Sequence, residues 1–152
     1  MLDFVAKFTD KKIKIVKIGT KFFLENKQLA KHKLDAKEKI FGLYLGEQKD
    51  TFVPSFGLLN WLAEHSEEKV FVKDIGEIDF LYGKNRRAMH VARGEGSTKI
   101  GFLKLIQNEH DENLGYGKIV GEFGKTNQVV KHRMDRGHFL AREKVNKVDK
   151  KA

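Results

Sequence analysis

The chain has 152 residues, 40% of them hydrophobic, and a net charge of +9 with no cysteine. That length suits one domain or two small ones with a real core, and the missing cysteines exclude a disulfide framework, a thiolate nucleophile and cysteine-ligated zinc or iron–sulfur sites. They also point to an intracellular, cytoplasmic setting, while the absence of any run of eighteen apolar residues argues against a membrane span.

In chain order, "MLDFVAKFTDKK" mixes apolar and charged residues and lacks a signal-peptide core. "IKIVKIG" (13–19) and "FGLYLGE" (41–47) alternate with the two-residue period of half-buried strands, through Ile13, Ile15 and Ile18, then Phe41, Leu43 and Leu45. Between them "NKQLAKHKL" has room for a short helix. "KDTFVPS" reads as a turn and short strand closed by Pro54. Ser55 is placed to cap the helix "SFGLLNWLAEH", whose Phe56, Leu59, Leu62 and Ala63 share one face. The polar run "EHSEEK" ends that helix, and the strand "VFVKD" follows, so a boundary is expected near 66–70, with domains 1–69 and 70–152.

The second half reads as nearly all strand: "VFVKD", "EIDFLY", "KIGFLKLI", "LGYGKIVG" and "HFLA", the middle pair forming a hairpin around an acidic turn at 109–113. Gly115, Gly117 and Gly121 mark bends or bulges. Only "NRRAMHVA" suits a helix, capped by Asn85 and ended by Gly94. Such strands make a small barrel. In "VVKHRMDRGHFLA", Asp135 can accept backbone N–H bonds and Gly137 can supply a positive φ for a sharp re-entry.

The charge is banded. Counted by segment it is −1 (1–10), +7 (11–33), −5 (34–82), +4 (83–99), −2 (100–124) and +6 (125–152). A positive face of this kind holds polyanions through counterion release, with nucleic acid the first candidate; a lysine-rich solubilising surface is the plain alternative. The basic residues group after Gly83 (Lys84, Arg86, Arg87, His90, Arg93) and around the Asp135 turn (Lys131, Arg133, Arg136, Arg142, Lys144).

No catalytic or cofactor motif survives its own geometry. "GEFGKT" has Ile119 where a phosphate loop needs its first glycine, "GYGKIVG" sits in a hairpin instead of between a strand and a helix, and "RGEGS" lacks the glycine after Ser97 that a nucleophile elbow requires. The six histidines never fall at metal-ligand spacing, and "EHDE" reads as a solvated hairpin tip. No carboxylate pair, such as Glu77 with Asp79, stands in an apolar setting that would raise its pKa. No enzyme, metal or cofactor is expected.

The pieces "FVKDIGEIDFLYG", "LGYG" and "VVKHRMDRGHFLA", in that order, resemble the PUA domain of the Nip-seven family, the large-subunit ribosome biogenesis factors of archaea and eukaryotes. Upstream, "GLYLGEQKDTFVPSFGLLNWLAEHSEEKVFVK" resembles the second half of that family's pre-PUA domain, and the short "KIVGEFGKTNQ" fits an archaeal-type member. The resemblance implies an α+β chain: an N-terminal α/β pre-PUA domain, then a PUA-like β pseudo-barrel with a basic tail. It implies a non-catalytic adaptor in large-subunit biogenesis that binds single-stranded, uridine-rich pre-rRNA. Carried over, the contacts fall among Arg136, Arg142, Lys144 and Lys147, joined by Arg86, Arg87, His90, Arg93, Lys131 and Arg133 if both basic clusters share one edge. Tyr82, His90 or His138 would then be available to stack on bases, although Tyr82 reads first as a core or rim aromatic. The acidic stretch 34–82 is a docking face for another biogenesis or RNA-processing protein in the alternative reading, and an RNA-modification enzyme or its accessory subunit is the third. The small N-terminal half leaves little room for a catalytic domain.

Overall fold

The computed structural model describes residues 1–27, 42–82, 86–87, 91–123, 125 and 128–137. The helix expected in "NKQLAKHKL" falls beyond Lys27, and the strand expected in "HFLA" also lies outside the described residues. Two compact units divide the chain, Met1–His65 and Ser66–Ala152. The division falls within four residues of the boundary expected after 69, and Lys69 opens a strand of the second unit.

The first unit begins with the single-turn helix α1 (Leu2–Val5). Four strands then pair antiparallel in sequential order: β1 (Ile15–Ile18), β2 (Lys21–Leu24), β3 (Tyr44–Gln48) and β4 (Phe52–Pro54). Gly19, at φ +58°, makes the two-residue turn from β1 to β2. The expected strands at 13–19 and 41–47 are found, slightly shifted, while β2 escaped sequence reading because Phe22, Phe23 and Leu24 run together without alternation. Helix α2 (Phe56–His65) is capped as expected: the Leu58 N–H donates to Ser55 Oγ at 3.2 Å, and that hydroxyl donates to the Tyr44 carbonyl at 2.5 Å. Leu58, Leu59 and Leu62 are its buried residues, so the inward face turns toward Leu58, with Phe56 and Ala63 half-buried at its margin. Val5, Phe8, Phe22 and Leu45 are also buried among the unit's described residues, and Phe4, Phe8, Phe22 and Phe52 form tilted or edge-on pairs with centroids 5.3–5.8 Å apart.

The second unit comprises β5 (Lys69–Val72), helix α3 (Asp74–Leu81), β6 (Arg86–Arg87), β7 (Val91–Gly94), β8 (Leu103–Gln107), β9 (Asn113–Ile119) and β10 (Gln128–Asp135). Its sheet runs β6-β10-β9-β8-β5-β7, antiparallel except for β5 with β8. Laid flat, six strands would hold the two edges roughly 24 Å apart. Only residues 88–90 join β6 to β7, and four Cα steps reach at most about 15 Å. The sheet must therefore curl until its edges approach, which makes it a pseudo-barrel. Val70, Val72, Phe80, Ile106, Leu114, Val129 and Val130 fill the interior.

Two expectations are corrected. "EIDFLY" is not a strand: residues 74–81 are helical, with Asp74 and Glu77 in the first turn, where they complement the helix dipole. A strand would have put Ile78, Phe80 and Tyr82 on one face; the helix buries Phe80 and leaves Ile78 and Tyr82 exposed. "NRRAMHVA" is not a helix either, since Arg86–Arg87 pairs with β10 and Val91–Gly94 with β5. Unpaired edges of β10 and β5 recruit these segments, so pairing overrides local propensity. Gly94 is thus a strand residue. The hairpin of β8 and β9 is as expected.

Candidate nucleic-acid interface

The positions of interest gather on β10 and its neighbours. Lys131 and Arg133 are exposed and separated by the half-buried His132. In the register with β9, Lys131 stands opposite Lys118 and Met134 opposite Tyr116, with a bulge between His132 and Met134 that accommodates Arg133. Lys131, Lys118 and Tyr116 therefore share a face. Burial raises the pKa of the Tyr116 phenol, and the charge of Arg133 opposes that rise, so the two side chains are electrostatic neighbours. On the other side of β10, β6 pairs Arg87 with Gln128 and Arg86 with Val130. One edge of the barrel thus lines up Arg86 and Arg87 by backbone position, then Lys131 and Arg133, then Lys118.

His132 turns away from this face. Its Nε2 meets the Asp135 carboxylate and its ring lies 5.1 Å from that of Phe80. Asp135 in turn accepts the Gly137 N–H at 2.5 Å, as the sequence suggested. Gly137 has another reason than the expected one. It is not among the positive-φ glycines; a Cβ there would strike the Leu81 carbonyl oxygen, so the close pass of the chain over the end of α3 is what excludes a side chain. Arg136 follows the same turn, half-buried, with its N–H donating to the Leu114 carbonyl at 3.0 Å.

Arg93 is engaged by its own neighbours. It lies on β7, at the far end of the strand order from β6, with its guanidinium 3.6 Å from the Phe71 ring centroid and its Nε 3.3 Å from Glu95. That is a packed cation–π and ion-pair contact, which holds the β7 edge. His90, Arg142, Lys144 and Lys147, with Lys84 and His138, lie outside the described residues. Tyr82, read first as a core or rim aromatic, is 65% exposed at the end of α3. Lys118 was missed; its alternation with Tyr116 between the glycines of "LGYGKIVG" was the available signal.

Elsewhere in this unit the charges serve the fold. Lys104 is wholly buried, bonded to the Glu68 carboxylate and to the Glu95 carbonyl at 2.5 Å, while Glu68 also accepts the Ser97 N–H. At the β8–β9 tip, Lys69 pairs with Asp111 at 3.1 Å and Gln107 donates to the same carboxylate at 3.0 Å. Among the described residues no group of histidine and carboxylate side chains is arranged to hold a metal, and no helix is long and apolar enough to cross a membrane.

Residues 68–144 match the family model of the UPF0113 PUA domain, half of the chain. The chain belongs to this family. It is 30% identical over 111 residues to a UPF0113 protein of Archaeoglobus fulgidus, covering 68% of this chain and 62% of that one. Over 91 residues it is 30% identical to the 60S ribosome subunit biogenesis protein nip7 of Schizosaccharomyces pombe, covering 56% and 51%. The chain thus spans between half and two thirds of the length of these relatives. A conserved PUA domain protein from Thermoplasma acidophilum superposes with a TM-score of 0.58 at 15% identity, covering 93% of this chain and 89% of that one. The α+β fold, with a PUA pseudo-barrel following a smaller α/β unit, is the one this family resemblance implied.

Proposed function

We propose that this chain is a non-catalytic, cytoplasmic RNA-binding adaptor in large ribosomal subunit biogenesis, and that its PUA unit binds single-stranded, uridine-rich pre-rRNA. The observation that carries the reading is the edge of the barrel where exposed Lys131 and Arg133 on β10 stand between the Arg86–Arg87 strand and Lys118. Cations spaced along adjacent strands suit a phosphate backbone, and the kinship with nip7 supports ribosome assembly as the setting. Arg136, Arg142, Lys144 and Lys147 extend the basic run beyond this edge in sequence and belong to the same proposed contact, as does His90. Arg93 is left out of it because Phe71 and Glu95 hold its side chain. The first unit is the candidate docking surface for a partner biogenesis protein.

The test is a salt titration of binding to a uridine-rich oligonucleotide. Replacing Lys131 and Arg133 together by alanine should weaken binding and reduce the salt slope by about 1.4, roughly 0.7 for each lost phosphate contact. A control at Lys7 and Lys99, exposed residues outside this edge, removes the same charge and should bind almost normally. Equal losses in both variants would show that bulk charge, and not this edge, holds the RNA.

A further inference from the structure

The outer face of the first unit's sheet carries a pattern that the proposed PUA contact does not use. By register, Val16 pairs with Phe23, Ile18 with Lys21 and Phe23 with Tyr44, and Lys21 stands opposite Glu47, itself opposite Val53. Lys14 lies on the same side by alternation with Val16 and Ile18. The opposite side holds the buried Phe22, which packs edge-on to Phe52 at 5.8 Å. The outer side is also apolar and partly open: Val16 and Phe23 are half-buried, Ile18 and Tyr44 are 39% exposed and Val53 43%. At its centre the rings of Phe23 and Tyr44 lie 5.6 Å apart, tilted by 55°. Lys14 and Lys21 stand at the two ends of this platform, about 13 Å apart along the strand direction. Lys17 belongs to the opposite side, across from Phe22 in register, with its Nζ 5.6 Å from that ring centroid. The face has two carboxylates in this register: Glu25, opposite Lys14, whose N–H donates to the Lys14 carbonyl at 2.9 Å, and Glu47, opposite Lys21, which accepts from the Thr20 hydroxyl at 2.8 Å and lies 3.8 Å from Lys49 Nζ.

We infer that this face is a second contact for single-stranded RNA: Phe23 and Tyr44 form a stacking platform for a base, and Lys14 and Lys21 hold the phosphates on either side. A π platform bracketed by cations is the chemistry that single strands require, because every base offers a stackable face and every linkage a negative charge. Charge complementarity selects the occupant. The segment 11–33 carries +7, and an apolar face with a lysine at each end suits a polyanion with flat apolar groups. The inference takes from the proposed function only the class of ligand; the surface is a different one.

The experiment uses the full chain, ultraviolet crosslinking to a uridine-rich single strand, and mapping of the crosslinked peptides, with binding measured in parallel. Crosslinks are expected on peptides containing Phe23 and Tyr44. Tyr44→Ala should weaken binding about fivefold or more, as loss of one stacked base does. Tyr44→Phe, which keeps the ring, should restore it, and Lys14→Ala with Lys21→Ala should lower the salt slope by about 1.4. Inorganic polyphosphate, which has no bases, is the second ligand, and its affinity should not respond to Tyr44→Ala. Absence of crosslinks on these peptides together with unchanged RNA affinity in the variants would overturn the inference, as would equal effects of Tyr44→Ala on RNA and polyphosphate. The Lys131→Ala/Arg133→Ala protein, run alongside, separates the two claims. Loss there alone leaves the PUA contact standing and removes this one; loss in the sheet variants alone does the reverse.

Discussion

A Cβ at Gly137 would meet the Leu81 carbonyl oxygen, so the residue's duty is steric, although its place in the sequence suggests a positive φ. The two accounts separate by substitution. Asn tolerates the left-handed region far better than Ala, so a positive-φ requirement would favour Gly137→Asn. A close approach punishes both, and each variant should lose about 1–3 kcal/mol in denaturant unfolding; a near-neutral Asn variant would contradict the steric account. Lys104 was invisible to sequence reading as anything but a surface charge, because its partners Glu68 and Glu95 are joined to it only through the parallel pairing of β5 with β8 and the chain after β7. Truncation to Ala should cost about 3–5 kcal/mol, the scale for stranding one partner of a buried pair. Asp111 gives a pH signature. Partial burial pushes its carboxyl up, but hydrogen bonds from Gln107 and Lys69 and the charge of Lys69 outweigh that and hold the pKa below its ordinary 3.8. A depressed folded-state pKa contributes stability that is present above the unfolded value and is lost as pH falls through the folded one. Asp111→Asn should therefore flatten the stability profile below about pH 4 and leave its shape near neutrality unchanged.

At the scale of elements, the helix α2, its Ser55 cap, the strands β1, β3, β4 and β5 and the β8–β9 hairpin were all legible, because each is marked in sequence by an apolar run or period and by polar, glycine or proline residues at its ends. The failures share a cause. "EIDFLY" alternates as a strand would, and its helical state depends on Phe80 being buried in the barrel while Ile75, Ile78 and Tyr82 stay exposed. "NRRAMHVA" has helical composition, and its strands exist because β10 and β5 offer it open edges. Neither fact can be read before the sheet order is known. The helical assignment of 74–81 is testable with Ile78→Pro: in the interior of a helix it removes a backbone bond and should cost about 3 kcal/mol or more, whereas Ile78→Ala at this exposed position should stay within about 0.5 kcal/mol. Similar small effects from both would contradict the helix.

For the molecule as a whole, the banded charge was the most informative property of the sequence. It pointed to a polyanion before any element was placed, and the ordered pieces "LGYG" and "VVKHRMDRGHFLA" pointed to the PUA family. What could not be read was which basic residues meet. Lys131, Arg133 and Lys118 are brought together by antiparallel register, while Arg93, close to Arg86 and Arg87 in sequence, packs on Phe71 and pairs with Glu95. The central claim is that an RNA of the large ribosomal subunit pathway lies on the β10 edge. Its most direct measurement is crosslinking in cells followed by sequencing of the RNA bound to the wild-type chain and to the Lys131→Ala/Arg133→Ala variant. The account predicts enrichment of large-subunit pre-rRNA at uridine-rich single-stranded sites for the wild type and loss of that enrichment in the variant. Crosslinks spread in proportion to total cellular RNA, or an unchanged profile in the variant, would contradict it.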